Sequence, residues 1–249
     1  MMIDIHSHIL PGVDDGSEDL STSLEMLRMA ADSGVEAIVA TPHCNIPGEF
    51  ENYADEKLLR AFEVLREEAK SNGIPVKILS GMEVFTTEEL PQLVLKKQVW
   101  TLNHTRYLLM EFGFDEDPGF CEEILEELKK LGIRPVIAHP ERYYFLQADP
   151  QIAYEWCTSG CTLQLNKGSL LGSFGDESRR TAHALIEHGL AACVASDAHG
   201  TRYRTTVMAE ARQYVDQVYG LEYGRLLFEI NPQRILQGKD LYGYEVIPF

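Results

Sequence analysis

The sequence predicts an α/β fold, a barrel of seven β/α units with parallel strands and outer helices, from three observations. Seven short β-prone runs alternate with segments of helical spacing. Six of the seven runs are followed closely by a metal-ligand type of side chain. No G-x-G-x-x-G follows the first run and no phosphate-binding P-loop occurs anywhere, so the usual signatures of an open nucleotide-binding sheet are missing.

The runs are 3–5, 37–40, 76–79, 107–110, 135–138, 162–165 and 191–195. Between them, helical spacing with glycine punctuation marks 21–31 closed by Gly34, 53–71 closed by Gly73 and 118–131 closed by Gly132. The stretch 226–236 reads as one more helix. Strands separated by helices pair in parallel through right-handed crossovers. A chain of 249 residues with 45% hydrophobic composition buries a large core, so one domain over 1–249 is expected.

The first run leads into Asp4-Ile5-His6-Ser7-His8, and alternation sends residues two apart to the same side of a strand, where His6 and His8 can grip one ion. An isolated H-x-H is equally well two polar residues leaving a strand, so the other runs decide. His43, Glu83, Glu111, His139 and the pair Asp197 and His199 each follow one. In a parallel barrel all these ends lie on one face and converge on one cleft. Asp15, in an Asp14-Asp15-Gly16 turn close to H-x-H, joins the candidates. Five histidines and four carboxylates exceed the roughly four to six ligands of one ion, so at least two ions are implied and three fit. His104, His183 and His188 fall elsewhere and receive no role.

The charge balance, 22 Lys and Arg against 39 Asp and Glu for a net −17, disfavours broad binding to nucleic acid or membrane surfaces. It leaves open an anionic substrate held by bound cations. The five cysteines are too few for a disulfide framework in a chain this long. With no export signal and no long apolar stretch, a cytoplasmic protein with reduced thiols and no membrane insertion is expected. A cysteine phosphatase loop needs Arg six residues after Cys. The positions concerned are Phe50, Glu127, Leu163, Lys167 and His199, so a covalent thiol mechanism is disfavoured.

These residues resemble the PHP (polymerase and histidinol phosphatase) superfamily over nearly the whole chain. The stretch 3–17, Thr41-Pro42-His43, Glu111-Phe112-Gly113, Ala138-His139-Pro140-Glu141-Arg142-Tyr143 and Ser196-Asp197-Ala198-His199 are similar to one branch of it. That branch is the bacterial tyrosine-protein phosphatases of capsular and exopolysaccharide loci, the CpsB/YwqE type. The resemblance implies a distorted (β/α)7 barrel, the PHP fold. It also implies three divalent metal ions, manganese first and iron, zinc or magnesium as alternatives. The implied substrate is a phosphotyrosine protein, a cognate bacterial tyrosine kinase that controls capsule or exopolysaccharide synthesis. Carried over by position, one ion would use His6, His8 and Asp197, with Glu83 bridging to a second held by Glu111 and His139. A third would use Asp15, His43 and His199. Arg142 and Arg204 match the phosphate-binding arginines. The chain departs from the pattern at Cys44 and at Thr205-Thr206, which bear on protein docking rather than on the ligands.

For such a site the expected chemistry is attack of metal-activated hydroxide on phosphorus, with forked arginine donors stabilising charge on the equatorial oxygens. Without the neighbouring ligand stretches, Arg142 reads as an ion-pair partner of Glu141 and Arg204 as a solvated loop residue. A phenolate leaves readily, since tyrosine titrates near ~10; either His199 or a coordinated water would serve as acid. The alternatives are a small-molecule phosphoesterase such as a histidinol-phosphate phosphatase, a PHP-type exonuclease, and a non-catalytic kinase-binding scaffold.

Overall fold

In the computed structural model, residues 2–243 and 245–249 are described. Among them the strands are β1 (Met2–Ser7), β2 (Val35–Ala40), β3 (His43–Cys44), β4 (Lys77–Ser80), β5 (Glu83–Phe85), β6 (Tyr107–Glu111), β7 (Arg134–Ala138), β8 (Thr162–Asn166) and β9 (Ala191–Ala195). Each of the seven expected runs corresponds to one of them. The two additions, β3 and β5, continue the second and third runs beyond a break. At the first break Pro42 has no N–H to give a ladder. At the second, a Cβ on Gly81 would lie 2.9 Å from Val39 Cγ1, so only glycine lets the chains approach this closely.

Every strand pair is parallel, and the breaks divide the ladder into a three-stranded sheet, β1-β2-β4, and a six-stranded sheet, β3-β5-β6-β7-β8-β9. The single ring expected from the sequence is thus two ladders. They are joined by a pair of backbone hydrogen bonds at each junction. At one, Gly81 N donates to Ala40 O (3.0 Å) and Glu83 N to Pro42 O (3.1 Å). At the other, His8 N donates to Ala198 O (2.9 Å) and Asp197 N to His6 O (2.9 Å), beside an isolated parallel bridge of Ser7 with Ala198.

The helices are α1 (Leu20–Asp32), α2 (Glu56–Ser71), α3 (Leu90–Leu95), α4 (Pro118–Lys130), α5 (Tyr144–Ala148), α6 (Gln151–Thr158), α7 (Lys167–Leu170), α8 (Gly175–Glu187), α9 (Ala209–Val218), α10 (Leu221–Arg225) and α11 (Asn231–Leu236). Asp19, Asp55 and Asp117 cap α1, α2 and α4 by accepting from Thr22 N, Leu58 N and Phe120 N. Asp55 is why the second helix starts at Glu56 rather than near Tyr53. The expected final helix begins earlier, at Leu221, and passes through a π turn, Leu226–Ile230, before Pro232 enters the first turn of α11.

Two apolar clusters hold the fold. The larger lies between strands and helices and includes Leu27, Ile38, Leu65, Leu108, Ile137 and Leu185. The smaller gathers Ile3 and Ile5 from β1, Val39 from β2, Leu109 from β6, Val136 from β7 and Cys193 from β9, so both sheets enclose one interior. No helix among the described residues is long and apolar enough to cross a membrane.

Candidate metal centre and its arginines

All nine residues singled out in the sequence come together: His6, His8, Glu111, His139, Asp197 and His199 at or just beyond the ends of β1, β6, β7 and β9, His43 and Glu83 opening β3 and β5, and Asp15 in the turn after β1. His6 Nε2 and His8 Nε2 are 3.2 Å apart, each is 3.2 Å from Glu83 Oε2, and each is 3.5 Å from Asp197 Oδ1. His43 Nδ1 reaches the same Glu83 oxygen (3.1 Å), while its Nε2 is 3.5 Å from Asp15 Oδ1. His199 Nε2 is 3.3 Å from Asp15 Oδ1. His139 Nε2 is 3.0 Å from Glu83 Oε1 and 3.5 Å from Glu111 Oε1.

Three sets of donor atoms lie close enough to surround a cation: His6, His8, Glu83 and Asp197; His8, Asp15, His43 and His199; and His43, Glu83 and Glu111. The first set is the expected grouping of His6, His8 and Asp197 with the bridging Glu83, and the second is the expected Asp15, His43 and His199 with His8 added. In the third, His43 stands with Glu83 and Glu111 where His139 was expected, although His139 touches both carboxylates.

Local backbone geometry aims several of these groups. The β1–β2 register shifts between Asp4 and Ser7, at the His6 position. His139 (φ 34) and Asp197 (φ 49) both take the left-handed conformation immediately after β7 and just beyond β9. Non-glycine residues adopt it at a cost, and such strain clusters where a side chain must be aimed. A Cβ on Gly16 would lie 2.3 Å from His8 Cβ, so the turn carrying Asp14 and Asp15 passes directly over His8.

Residues that the sequence did not single out hold the ligands in place. His8 Nδ1 donates to Asp14 Oδ2 (2.7 Å), which also accepts from His43 N (2.9 Å). Strand β8, the one without a terminal ligand, provides Gln164, whose Oε1 is 2.7 Å from His6 Nδ1, and Asn166, whose Nδ2 donates to Asp197 Oδ2 (2.6 Å). Partners of this kind fix the tautomer and ring direction of a ligating histidine.

Glu83 and Asp197 are each 1% exposed, and desolvation alone would keep such carboxyls neutral. Burial opposes their charge, but His6 with His43 around Glu83, and His6 with His8 and Arg204 around Asp197, outweigh it and hold both well below the carboxylate range. Burial likewise opposes charge on His6, where Glu83 and Asp197 win and raise it. Burial and the neighbouring Glu83 push Glu111 up to about 8, and burial takes His139 down to about 4.

A set of imidazole–carboxylate ion pairs would produce the same proximity without metal, and hydrogen-bond geometry separates the two cases. His43 Nδ1 and Glu83 Oε2 are buried and 3.1 Å apart, yet neither makes a hydrogen bond; His199 Nε2 is likewise unbonded. Buried polar atoms in native proteins are nearly always bonded. Lone pairs gathered around a common point rather than aimed at one another suit a divalent cation, and the nitrogen and oxygen donor set suits manganese, iron or zinc.

Arg142 and Arg204 stand at the rim of this cluster. Arg204 Nη2 is 2.5 Å and Arg142 Nη1 3.6 Å from Asp197 Oδ2. Glu141, one of the carboxylates that a plain ion pair would have offered Arg142, is buried and accepts from Asn166 N (2.9 Å). An open cavity of about 740 Å³ adjoins the cluster, lined among others by Asp15, His199, Arg202, Tyr203 and Arg204. His104, His183 and His188 lie elsewhere: Nε2 of the first is 3.1 Å from Ser80 Oγ, Nδ1 of the second is 2.6 Å from Tyr219 Oη, and the third stacks on Phe249. Burial pushes the Cys44 thiol up to about 12, so it offers no thiolate near neutrality.

A family model described as "Capsular polysaccharide synthesis, CpsB/CapC" matches residues 2–237. The tyrosine-protein phosphatase YwqE of Bacillus subtilis is 36% identical over 241 residues, 97% of this chain and 94% of that protein. The tyrosine-protein phosphatase CpsB of Streptococcus agalactiae is 34% identical over 241 residues, 95% of this chain and 98% of that protein. A crystal structure from work on YwqE of Bacillus subtilis and CpsB of Streptococcus pneumoniae, described as unique metal-dependent tyrosine phosphatases, superposes with a TM-score of 0.93. It is 35% identical, with 100% of this chain and 99% of that one covered.

Proposed function

This chain belongs to the CpsB/CapC family of capsular polysaccharide synthesis, and on that premise we propose that it is a metal-dependent protein-tyrosine phosphatase. The observation that carries the reading is a single carboxylate. Asp197 turns Oδ1 toward His6 and His8 and Oδ2 toward Arg204 and Arg142, so cation-binding and anion-binding groups share one buried anchor.

Three divalent ions, manganese first, are our reading of the donor sets. His6, His8, Asp15, His43, Glu83, Glu111, His139, Asp197 and His199 would hold them. When bound, such ions draw charge from phosphoryl oxygens and lower the pKa of coordinated water. Arg142 and Arg204 bind the equatorial oxygens with forked donors, and Asp197 keeps both guanidinium groups on the rim. His199 lines the cavity through which the phenol would leave, and our reading gives it the proton for the phenol oxygen only where its Nε2 is not spent on an ion; otherwise a water does so. The phenol makes a small demand on that acid.

We further take residues 1–249 as one cytoplasmic metallophosphatase domain. Its two ladders form a distorted seven-unit barrel, closed through the Ser7–Ala198 bridge and the shared interior of both sheets. The substrate on this reading is a phosphotyrosine on a bacterial tyrosine kinase. The test is metal analysis of the purified protein followed by turnover of a phosphotyrosine peptide, histidinol phosphate and a dinucleotide. Preference for the peptide supports the proposal; preference for either small molecule replaces it.

A further inference from the structure

Phe174, at the entrance to α8, touches both rim arginines. Its ring lies under the Arg142 guanidinium at 4.4 Å and under Arg204 at 5.8 Å, and the Phe114 ring is 4.7 Å from the Arg142 guanidinium. The ring is half-buried, and it is not among the side chains packed against either apolar cluster, whereas its neighbour Leu171 is. Core filling therefore does not account for it.

Its other contact is backbone. A Cβ on Gly168 would lie 2.6 Å from Phe174 Cε2, so the ring rests against α7 at a residue that has to be glycine. Ser173 N donates to Gly168 O (2.8 Å), and Gly168 N donates to Asn166 Oδ1 (2.9 Å). Asn166 in turn donates to Asp197 Oδ2, the oxygen both arginines approach. The aromatic platform and the carboxylate anchor are thereby fixed to one short segment.

We propose that Phe174 is a positioning residue that holds Arg142 and Arg204 facing the phosphoryl group, with Phe114 as a second ring against Arg142. The inference rests on the phosphatase reading above. Aromatic faces attract guanidinium groups, and a guanidinium held against a ring loses less freedom on binding an anion.

The experiment compares F174L, F174Y and the wild type, all metal-loaded, in binding of inorganic phosphate by calorimetry and in kinetics on a phosphotyrosine peptide. F174L should weaken phosphate binding about tenfold and raise KM more than it lowers kcat. F174Y should restore both, with metal content unchanged. In an R142A/R204A background F174L should cost nothing further. Wild-type phosphate affinity in F174L, an equal loss in the arginine-free background, or an F174L protein that fails to fold would each overturn the proposal. A wild type that binds phosphate but leaves the peptide intact would sink the phosphatase reading instead.

Discussion

Asp14 and His8 form a 2.7 Å hydrogen bond in which the imidazole Nδ1 donates, leaving Nε2 turned into the cluster of candidate ligands. The same carboxylate oxygen also accepts from His43 N, so one side chain sets the direction of two ligands on different strands. Removing its charge in D14N should weaken divalent-metal binding about 10- to 100-fold while the fold persists. Competition with a metal-sensitive dye would measure this; an unchanged dissociation constant would show that Asp14 only braces the loop.

Removing metal should separate two chemistries. Dialysis against a chelator should abolish phosphatase activity, and added manganese should restore it. Alkylation of accessible thiols should change little, because Cys44, Cys121, Cys161 and Cys193 are buried and burial raises their pKa values. The reverse pattern would point to a thiol mechanism.

His139 touches both Glu83 and Glu111, so H139A should reduce turnover of phosphotyrosine peptide more than about a hundredfold. Its circular dichroism spectrum should stay close to the wild type. Arg204→Ala removes a forked donor and should cost roughly a hundredfold in kcat/KM, with part of the loss in KM. Steady-state kinetics on both variants checks the two roles, and normal turnover in either one removes that residue from the mechanism.

Lys167 supplies a pH test on a group that is not itself a candidate ligand. Its Nζ donates to Thr205 O (2.5 Å) and Val207 O (2.6 Å), tying the loop after Arg204 to the end of β8. Burial lowers its pKa from 10.5 to about 8. Between those values the unfolded chain holds a proton that the folded chain has released, so this group's contribution to stability rises with pH across the window. Urea unfolding of wild type and K167M at about pH 7.5 and about pH 10 isolates it, the wild type gaining on the variant by up to about 3 kcal/mol at the higher pH. A difference that does not change with pH would mean that Lys167 is not desolvated.

The seven main strands and most of the candidate ligands were legible because the β-prone runs are short and six of the seven are followed closely by a histidine or carboxylate. Strands β3 and β5 were not, because two or three residues are too few to show any period. Asp14 was passed over beside Asp15, since adjacent carboxylates in one turn look alike until the backbone sends them to different sides. Asn166 could have been found: it follows the sixth run as the ligands follow theirs, but an amide does not read as a ligand. Phe174 left no signal, because its partners lie far off in the chain and a half-buried aromatic in a loop resembles any other.

The junction where Ser7 meets Ala198 has a consequence for assembly. His6 and His8 stand far before Asp197 in the chain, so no fragment that ends short of Asp197 carries a complete donor set for the first cation group. A cation gripping all three would act as a rivet across that seam, where two backbone hydrogen bonds and one bridge join the first strand to the exit of the last. Amide protons of β1 and β9 should then exchange with deuterium far more slowly in the loaded protein, and the opening of that seam would set how readily the ion escapes.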